Sequence, residues 1–278
     1  MEFKDNEKRY WNSFYSTDIG NYSINRDLSY HNNFKNLLKQ LPAGSKILEL
    51  GCGVRCDGLE IAISGKTVYE TDISQVAVDN AKKIYQNLGL EKQGIFLTCD
   101  AENLPFANNF FDGVFMAAAF HHLANQLVAL REMKRVVKPG GLIILGVEPN
   151  AWPYFTIFIL LKPLKIFIRK INQKKFSSVA DDTTRGFTKK QLKKVFKNAG
   201  LEILFLKRAK YLSEFYDSGL RLLNKMLGKD FSTNRYLEKI LVVTDSVLVK
   251  IPLINWFNWH WSVIACKPIN KKINNKVF

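Results

Sequence analysis

The sequence predicts a doubly wound α/β fold on a mostly parallel sheet, and three observations carry that prediction. From residue 45 onward, short apolar runs alternate with helical patterns. A glycine turn, Gly51-Cys52-Gly53, follows the first of those runs. A carboxylate, Asp72, closes the second run, 21 residues after Gly51. An apolar share of 47% in 278 residues is enough for a real core and excludes wholesale disorder.

The elements follow in order. Residues 7–40 mix aromatic and polar residues and read as helical, partly irregular material. Lys46–Leu50 reads as a strand, Leu59–Ser64 as a short helix and Thr67–Thr71 as a second strand. Ser74–Leu88 has helical periodicity, with Ser74 as N-cap and Gly89 as its stop. Ile95–Thr98 and Gly113–Met116 are strand-like; Gln126–Val137 is a helix ended by Lys138-Pro139-Gly140-Gly141, and Leu142–Val147 is a buried strand. The rhythm breaks at Glu148-Pro149-Asn150 and resumes with a helix over Thr188–Ala199 and a strand over Leu201–Leu206. Tyr211–Asp245 is mixed helical, and Trp259–Cys266 is the last of seven strands. The division that follows is an N-terminal helical lid (1–44), a ligand-binding core (45–150), an apolar and basic insertion forming a helical cap after the fifth strand (151–185), and a C-terminal completion of the sheet with helical elaboration (186–278).

Charge is distributed unevenly. Residues 1–150 hold 16 Lys and Arg against 17 Asp and Glu, leaving 25 against 8 for residues 151–278. The basic excess of the second half points to an anionic partner: a bilayer surface, nucleic acid or an acidic substrate. The opening Met1-Glu2-Phe3-Lys4-Asp5 shows no secretory h-region, so the chain reads as cytoplasmic. Cys52 and Cys56 have no second Cys or His pair at ligand spacing, so no metal is expected and the thiols read as reduced.

The glycine turn is the first motif with chemistry in it. At the carboxyl end of a parallel strand, glycine lets backbone approach a ligand where a Cβ would collide, and the ligand crevice of such sheets lies there. Asp72 has the separation at which a carboxylate takes both hydroxyls of a ribose. A dinucleotide would want a third glycine, but Cys56 stands in that place. Glu49, just before the turn, would repel a pyrophosphate and suits a cationic amino group. The balance favours S-adenosylmethionine (SAM) over NAD.

Five motifs then stand in order over about 45–147. Ile47-Leu48-Glu49-Leu50-Gly51-Cys52-Gly53 resembles the first motif of class I SAM-dependent methyltransferases, and Thr71-Asp72-Ile73-Ser74 their second-strand acid. Cys99-Asp100-Ala101-Glu102-Asn103-Leu104-Pro105-Phe106 resembles their adenine-contacting segment, and Phe110-Phe111-Asp112-Gly113-Val114 their fourth strand. Arg131–Gly141 resembles their helix-to-fifth-strand signature. The subgroup is similar to the small-molecule set typified by quinone- and sterol-pathway enzymes, known as methyltransferase type 11. The resemblance implies a seven-stranded Rossmann-like sheet, SAM as cofactor and methyl transfer as activity. Its implied cofactor contacts are Glu49 near the methionine end, the backbone of Gly51, Cys52 and Gly53, Asp72 with Ile73 at the ribose, and Asp100 with Ala101 at the adenine. The chain departs from the family where Arg55 replaces a third glycine, and Gly58 is read as restoring flexibility nearby.

Methyl transfer needs alignment first and, for many acceptors, a base. His121 and His122, just past the fourth strand, are the candidate bases; His31 and His260 are weaker. Tyr10, Trp11, Phe14 and Tyr15 are read as either a lid over the cofactor or core packing. The expected partner is a small, lipophilic acceptor. Ala151–Leu161 is eleven residues without a charge, short of the ~20 a membrane span needs. With Lys162, Lys165, Arg169 and Lys170 after it, the stretch Ala151–Lys175 fits the interface of an anionic membrane, on the inner face, and a peripheral association is expected. Nucleic acid is not expected as a partner, because no separate RNA-binding motif or basic-aromatic platform is present. The readings kept beside this are RNA methylation and a noncatalytic SAM-fold binding protein.

Overall fold

The computed structural model describes residues 2–17, 29–53, 56–153, 186–227, 234–252 and 254–269. Its centre is a seven-stranded sheet: β1 Lys46–Leu50, β2 Thr67–Asp72, β3 Gly94–Thr98, β4 Phe111–Ala117, β5 Val137–Pro149, β6 Glu202–Ala209 and β7 His260–Cys266. The spatial order is β3-β2-β1-β4-β5-β7-β6. Strands β1 to β5 are parallel neighbours, and β7 runs antiparallel between β5 and β6. The order reverses direction at β1, so the crevice of this sheet lies beyond the carboxyl ends of β1 and β4. The doubly wound, Rossmann-like expectation is met.

Alternation along the strands builds two cores. Leu48, Leu50, Val114, Met116, Ile143 and Leu145 are buried on one face, under α5 (Gln126–Val136) and α6 (Lys189–Ala199). Ile47, Val68, Phe115 and Ile144 are buried on the other, under α2 (Ser29–Lys39), α3 (Leu59–Ile63) and α4 (Gln75–Asn87). A strand covered on both faces has no solvent side, which is why these segments read as continuous apolar runs.

Helix boundaries follow capping chemistry. Ser74 accepts from the Ala77 N–H at the start of α4. Thr188 and Gln191 form a reciprocal capping box on α6, and Gly200 ends that helix in the left-handed region at φ 68°. β5 begins earlier than its sequence suggests. Lys138-Pro139-Gly140-Gly141, read as a turn, lies within it, because the Gly140 N–H donates to the Lys267 carbonyl and the Lys267 N–H to Gly141. The mixed material after β6 resolves into α7 Leu212–Leu227 and α8 Arg235–Leu248.

Ahead of the sheet, α1 (Glu2–Thr17) lies across the crevice and contacts α4. The cap expected over 151–185 falls outside the described residues from 154 onward, as does Arg55. Gly58 is described, and its role differs from the flexibility expected of it. Its φ is ordinary, and a Cβ there would sit 2.4 Å from Glu70 Oε1 and 2.9 Å from Glu49 Oε2. It is glycine because buried carboxyls press against its backbone.

Candidate functional site

A cavity of about 580 Å³ opens at the carboxyl edge of the sheet, a size typical of small-molecule sites. Its floor is the end of β1, with Glu49, Leu50, Gly51, Cys52 and Gly53. Gly51 and Gly53 have φ of 73° and 53°, where a side chain would be strained. A Cβ at Gly51 would also lie 2.9 Å from the Ala119 Cβ, so the turn and the β4 loop can meet only because that atom is missing. The Gly51 and Cys52 N–H groups both donate to the Thr71 carbonyl, at 2.8 and 3.0 Å, which fastens the turn to β2.

Asp72 ends β2 inside the cavity wall, beside Ile73. Its Oδ2 accepts from the Gly53 N–H at 3.0 Å and its Oδ1 from the Ser74 N–H at 2.8 Å. Burial pushes its carboxyl up to about 6, although three backbone N–H bonds and the nearby His122 pull the other way. Three N–H groups take three of its roughly four acceptor positions, so the carboxylate can still accept from a ligand hydroxyl.

Glu49 lines the same cavity, but its Oε2 accepts from the Gly58 N–H at 2.7 Å and its carboxyl lies against Glu70. Burial, and then the charge of Glu70, push Glu49 well above the ordinary carboxylate range. Glu70 is raised too, again chiefly by burial, and takes the Tyr85 hydroxyl at 2.6 Å. Burial biases both carboxyls of the pair toward the neutral form. Glu49 is thus a structural member of the floor as well as a candidate partner for a cation.

Asp100 and Ala101 lie on the opposite wall with Cys99 and Glu102. The loop they begin is fixed from behind by the helix-to-strand signature. Glu132 accepts from the Leu104 N–H, and Arg135 donates to the Leu104 and Phe106 carbonyls while pairing with Glu132 at 2.7 Å. Those charged residues position the loop after β3 and are not among the cavity-lining residues.

The two candidate bases part ways. His121 turns toward the sheet, where its Nδ1 lies 2.9 Å from Glu148 Oε2, and it is not among the cavity-lining residues. His122 lines the cavity, with its Nδ1 3.2 Å from Glu7 Oε2. The roof is α1: Phe3, Lys4, Glu7, Trp11, Phe14 and Tyr15 all face the space below. Trp11 donates to Glu7 at 3.1 Å and meets His122 edge to face at 5.1 Å. Tyr10 stacks on Phe14 without lining the cavity. Lys4 bridges Asp100 at 2.6 Å and Glu102 at 2.8 Å. Burial alone would lower its ammonium, but the two acids overcome that and hold it above its ordinary value. His260 sits in β7, 3.8 Å from Glu214 and away from the cavity; the His31 side chain is outside the described residues.

Three side chains in or beside the cavity escaped the sequence: Glu148, Glu7 and Lys4. Glu148 is fully buried and collects the N–H groups of Ala119, Phe120 and His121 as well as the His121 ring. It follows a bulge at Val147, whose φ of 56° is unusual for a β-branched residue, and the facing Ala118 is also left-handed at 51°. The signal that singled out Glu49 and Asp72, an acid at the carboxyl end of a strand, was present at Glu148 as well.

Fold and cavity define a class, the Rossmann-like methyltransferase fold with its crevice at the switch point. Residues 48–145 match the family model described as a methyltransferase domain. The ubiquinone/menaquinone biosynthesis C-methyltransferase UbiE of Coxiella burnetii is 33% identical over 111 residues, covering 38% of this chain and 44% of that protein. A demethylmenaquinone methyltransferase of Mycobacterium tuberculosis is 34% identical over 103 residues, covering 36% and 40%. The chain thus spans less than half the length of these curated relatives. Among solved structures, phosphoethanolamine N-methyltransferase 2 of Haemonchus contortus, in complex with SAM, superposes with a TM-score of 0.60 at 18% identity, covering 97% of this chain and 60% of that one. A SAM-dependent methyltransferase from Aquifex aeolicus gives 0.52 at 18%, covering 71% and 92%. The cyclase SpnF gives 0.55 at 20%, covering 86% and 81%.

Proposed function

We propose that the whole chain is a SAM-dependent methyltransferase acting on a small, lipophilic acceptor of the quinol or phenol type. The observation that carries the proposal is the cavity itself. One 580 Å³ space gathers the glycine turn, Asp72, Asp100, Ala101 and His122 from four separate strand ends. The curated relatives named for quinone methylation support the choice of acceptor.

SAM, when bound, supplies a methyl group on a positively charged sulfur. The chain's part is to align and to move a proton. The Gly51–Gly53 backbone gives room for close approach, Asp72 accepts the ribose hydroxyls, and Asp100 with Ala101 borders the adenine end. Glu7 accepts the Nδ1–H of His122, which fixes the tautomer whose Nε2 carries the lone pair. His122 then takes the proton from an acceptor hydroxyl as its oxygen or ring carbon becomes nucleophilic. His121 is assigned to holding the loop, not to proton transfer.

Calorimetry with SAM alone, followed by S-adenosylhomocysteine formation with a soluble naphthoquinol, tests this reading. Micromolar SAM binding and turnover are expected. A chain that leaves SAM unbound has no place in the class. One that binds SAM and turns over nothing fits a noncatalytic SAM-fold binding protein.

The proposal extends to the place of action, an anionic membrane surface. The basic excess of 151–278 supports it. Of the stretch Ala151–Lys175 only Ala151–Pro153 falls among the described residues. No helix among the described residues is long and apolar enough to cross a membrane, so the contact is peripheral in kind.

A further inference from the structure

Helices α7 and α8 grow from the edge of the sheet that carries the cavity. β6 ends at Ala209, paired with His260, and His260 pairs with Pro149, the residue after Glu148. The link is tightened by the Asn150 side chain donating to the Asn258 carbonyl at 2.7 Å. Asp245 of α8 is buried and caps the start of α7: it accepts from the Tyr211 and Leu212 N–H groups and from the Ser213 hydroxyl at 3.0, 2.8 and 2.6 Å. That carboxylate fixes which side of α8 faces inward.

The opposite side is apolar and bare. Tyr236, Ile240, Val243 and Val247 recur at helical spacing with exposures of 82%, 62%, 64% and 54%. No acid stands on that stripe; the acids of α8 are Glu238 and the inward Asp245. Exposed Lys239 and Lys250 flank it. Single exposed aliphatics need no explanation, but a four-membered stripe on a helix held in place by a buried cap marks a contact surface.

We infer that the Tyr236–Val247 stripe of α8 docks on an anionic lipid bilayer and sets the cavity edge of the sheet against the membrane. The inference rests on the proposed lipophilic acceptor and names the face that would meet it. Charge selects the occupant. Exposed Lys239 and Lys250 rim the stripe and no acid stands on it, so a second copy would set the same lysines against them. Aliphatic side chains give nucleic-acid bases nothing to stack on. An apolar face rimmed by lysines is the pattern that lies in a bilayer interface, apolar groups among acyl chains and ammoniums among headgroups.

The test is co-sedimentation of the full chain with vesicles of phosphatidylcholine alone and of phosphatidylcholine with phosphatidylglycerol. Binding to the mixed vesicles, weakened by salt, is expected. Changing Ile240, Val243 and Val247 together to Glu should weaken it roughly tenfold or more, and Lys239→Gln with Lys250→Gln several-fold. An unchanged thermal melt and unchanged calorimetry with SAM show that these exposed changes leave the fold and cavity intact. If the Glu variant binds vesicles like the parent, the stripe is not the docking face, while a membrane reading based on another segment stands. A parent chain that stays in the supernatant at low salt ends both, and SAM binding still judges the methyltransferase reading separately. A dimer in solution that the Glu variant dissolves, without vesicle binding, would make the stripe a contact between copies and overturn the inference.

Discussion

The floor and the roof of the cavity are held by different physics. On the floor, buried carboxyls are tied to backbone: Asp72 to the Gly53 and Ser74 N–H groups, Glu148 to three successive N–H groups after β4. Backbone donors cannot rotate away, so these groups keep their geometry whether or not a ligand is present. On the roof, α1 is tied by side chains: Lys4 to Asp100 and Glu102, Glu7 to His122, and Asn12 to the Ser74 hydroxyl. Lys4 and Asp100 are about one third exposed, where pairs are screened and side-chain entropy opposes them. The floor is therefore held by fixed backbone donors, and the roof by side-chain pairs.

The contrast predicts its largest effect at Glu148. Changing it to Ala removes the acceptor shared by the Ala119, Phe120 and His121 N–H groups and the His121 ring. A loss of about 3–5 kcal/mol in denaturant unfolding is expected, with Glu148→Gln losing clearly less. If Ala costs under about 1 kcal/mol, the floor is not organised as described.

Asp72 comes next. Asp72→Ala removes the acceptor for a diol in a closed space and should weaken SAM by about 1–3 kcal/mol, roughly 5–150-fold by calorimetry. Its pH dependence carries a sign. The folded carboxyl titrates at about 6, above its ordinary 3.8, because of burial. Hydroxyls donate best to the ionised form, so SAM affinity should climb as pH rises through about 6 and level off above it; Asp72→Asn should be flat. Stability runs the other way. Between about 4 and 6 the folded chain keeps a proton that the unfolded chain has released, so this group's contribution falls as pH rises.

These two residues also show how much was legible. Strand periodicity, caps and the Gly51-Cys52-Gly53 turn are local signals, and they fixed seven strands, their order of appearance and the floor. Asp72 was singled out as an acid at the end of the second strand, and the structure brings it to the cavity wall. Glu148 has the same placement at a strand end, but its partners are the backbone of residues 119–121, a pairing of β4 and β5 that no local pattern reveals. His121 and His122 are neighbours with one composition. Only the placement of Glu148 and Glu7, 27 residues later and 115 residues earlier, sends one ring to the sheet and the other to the cavity. The Glu49 prediction was incomplete for the same reason, since Glu70 and Gly58 reach it only in the folded chain.

On the roof, Glu7→Gln replaces the acceptor that orients His122. A hydrogen bond of that kind is worth about 1 kcal/mol, so turnover should fall roughly fivefold with SAM affinity nearly unchanged.

Lys4 gives the smallest effect and the sharpest comparison. Its ammonium joins the first turn of α1 to Asp100 and Glu102 on the adenine-side wall. Lys4→Ala removes both bridges from a partly exposed site, where each contributes about 0.2–1 kcal/mol. Unfolding should therefore shift little, whereas SAM dissociation in stopped flow should quicken by about two- to fivefold. Added salt should quicken the parent chain toward the variant, because it screens the bridges the variant lacks. A variant that loses as much stability as Glu148→Ala would show that α1 belongs to the floor's rigid body, and the distinction between the two halves of the cavity would go with it.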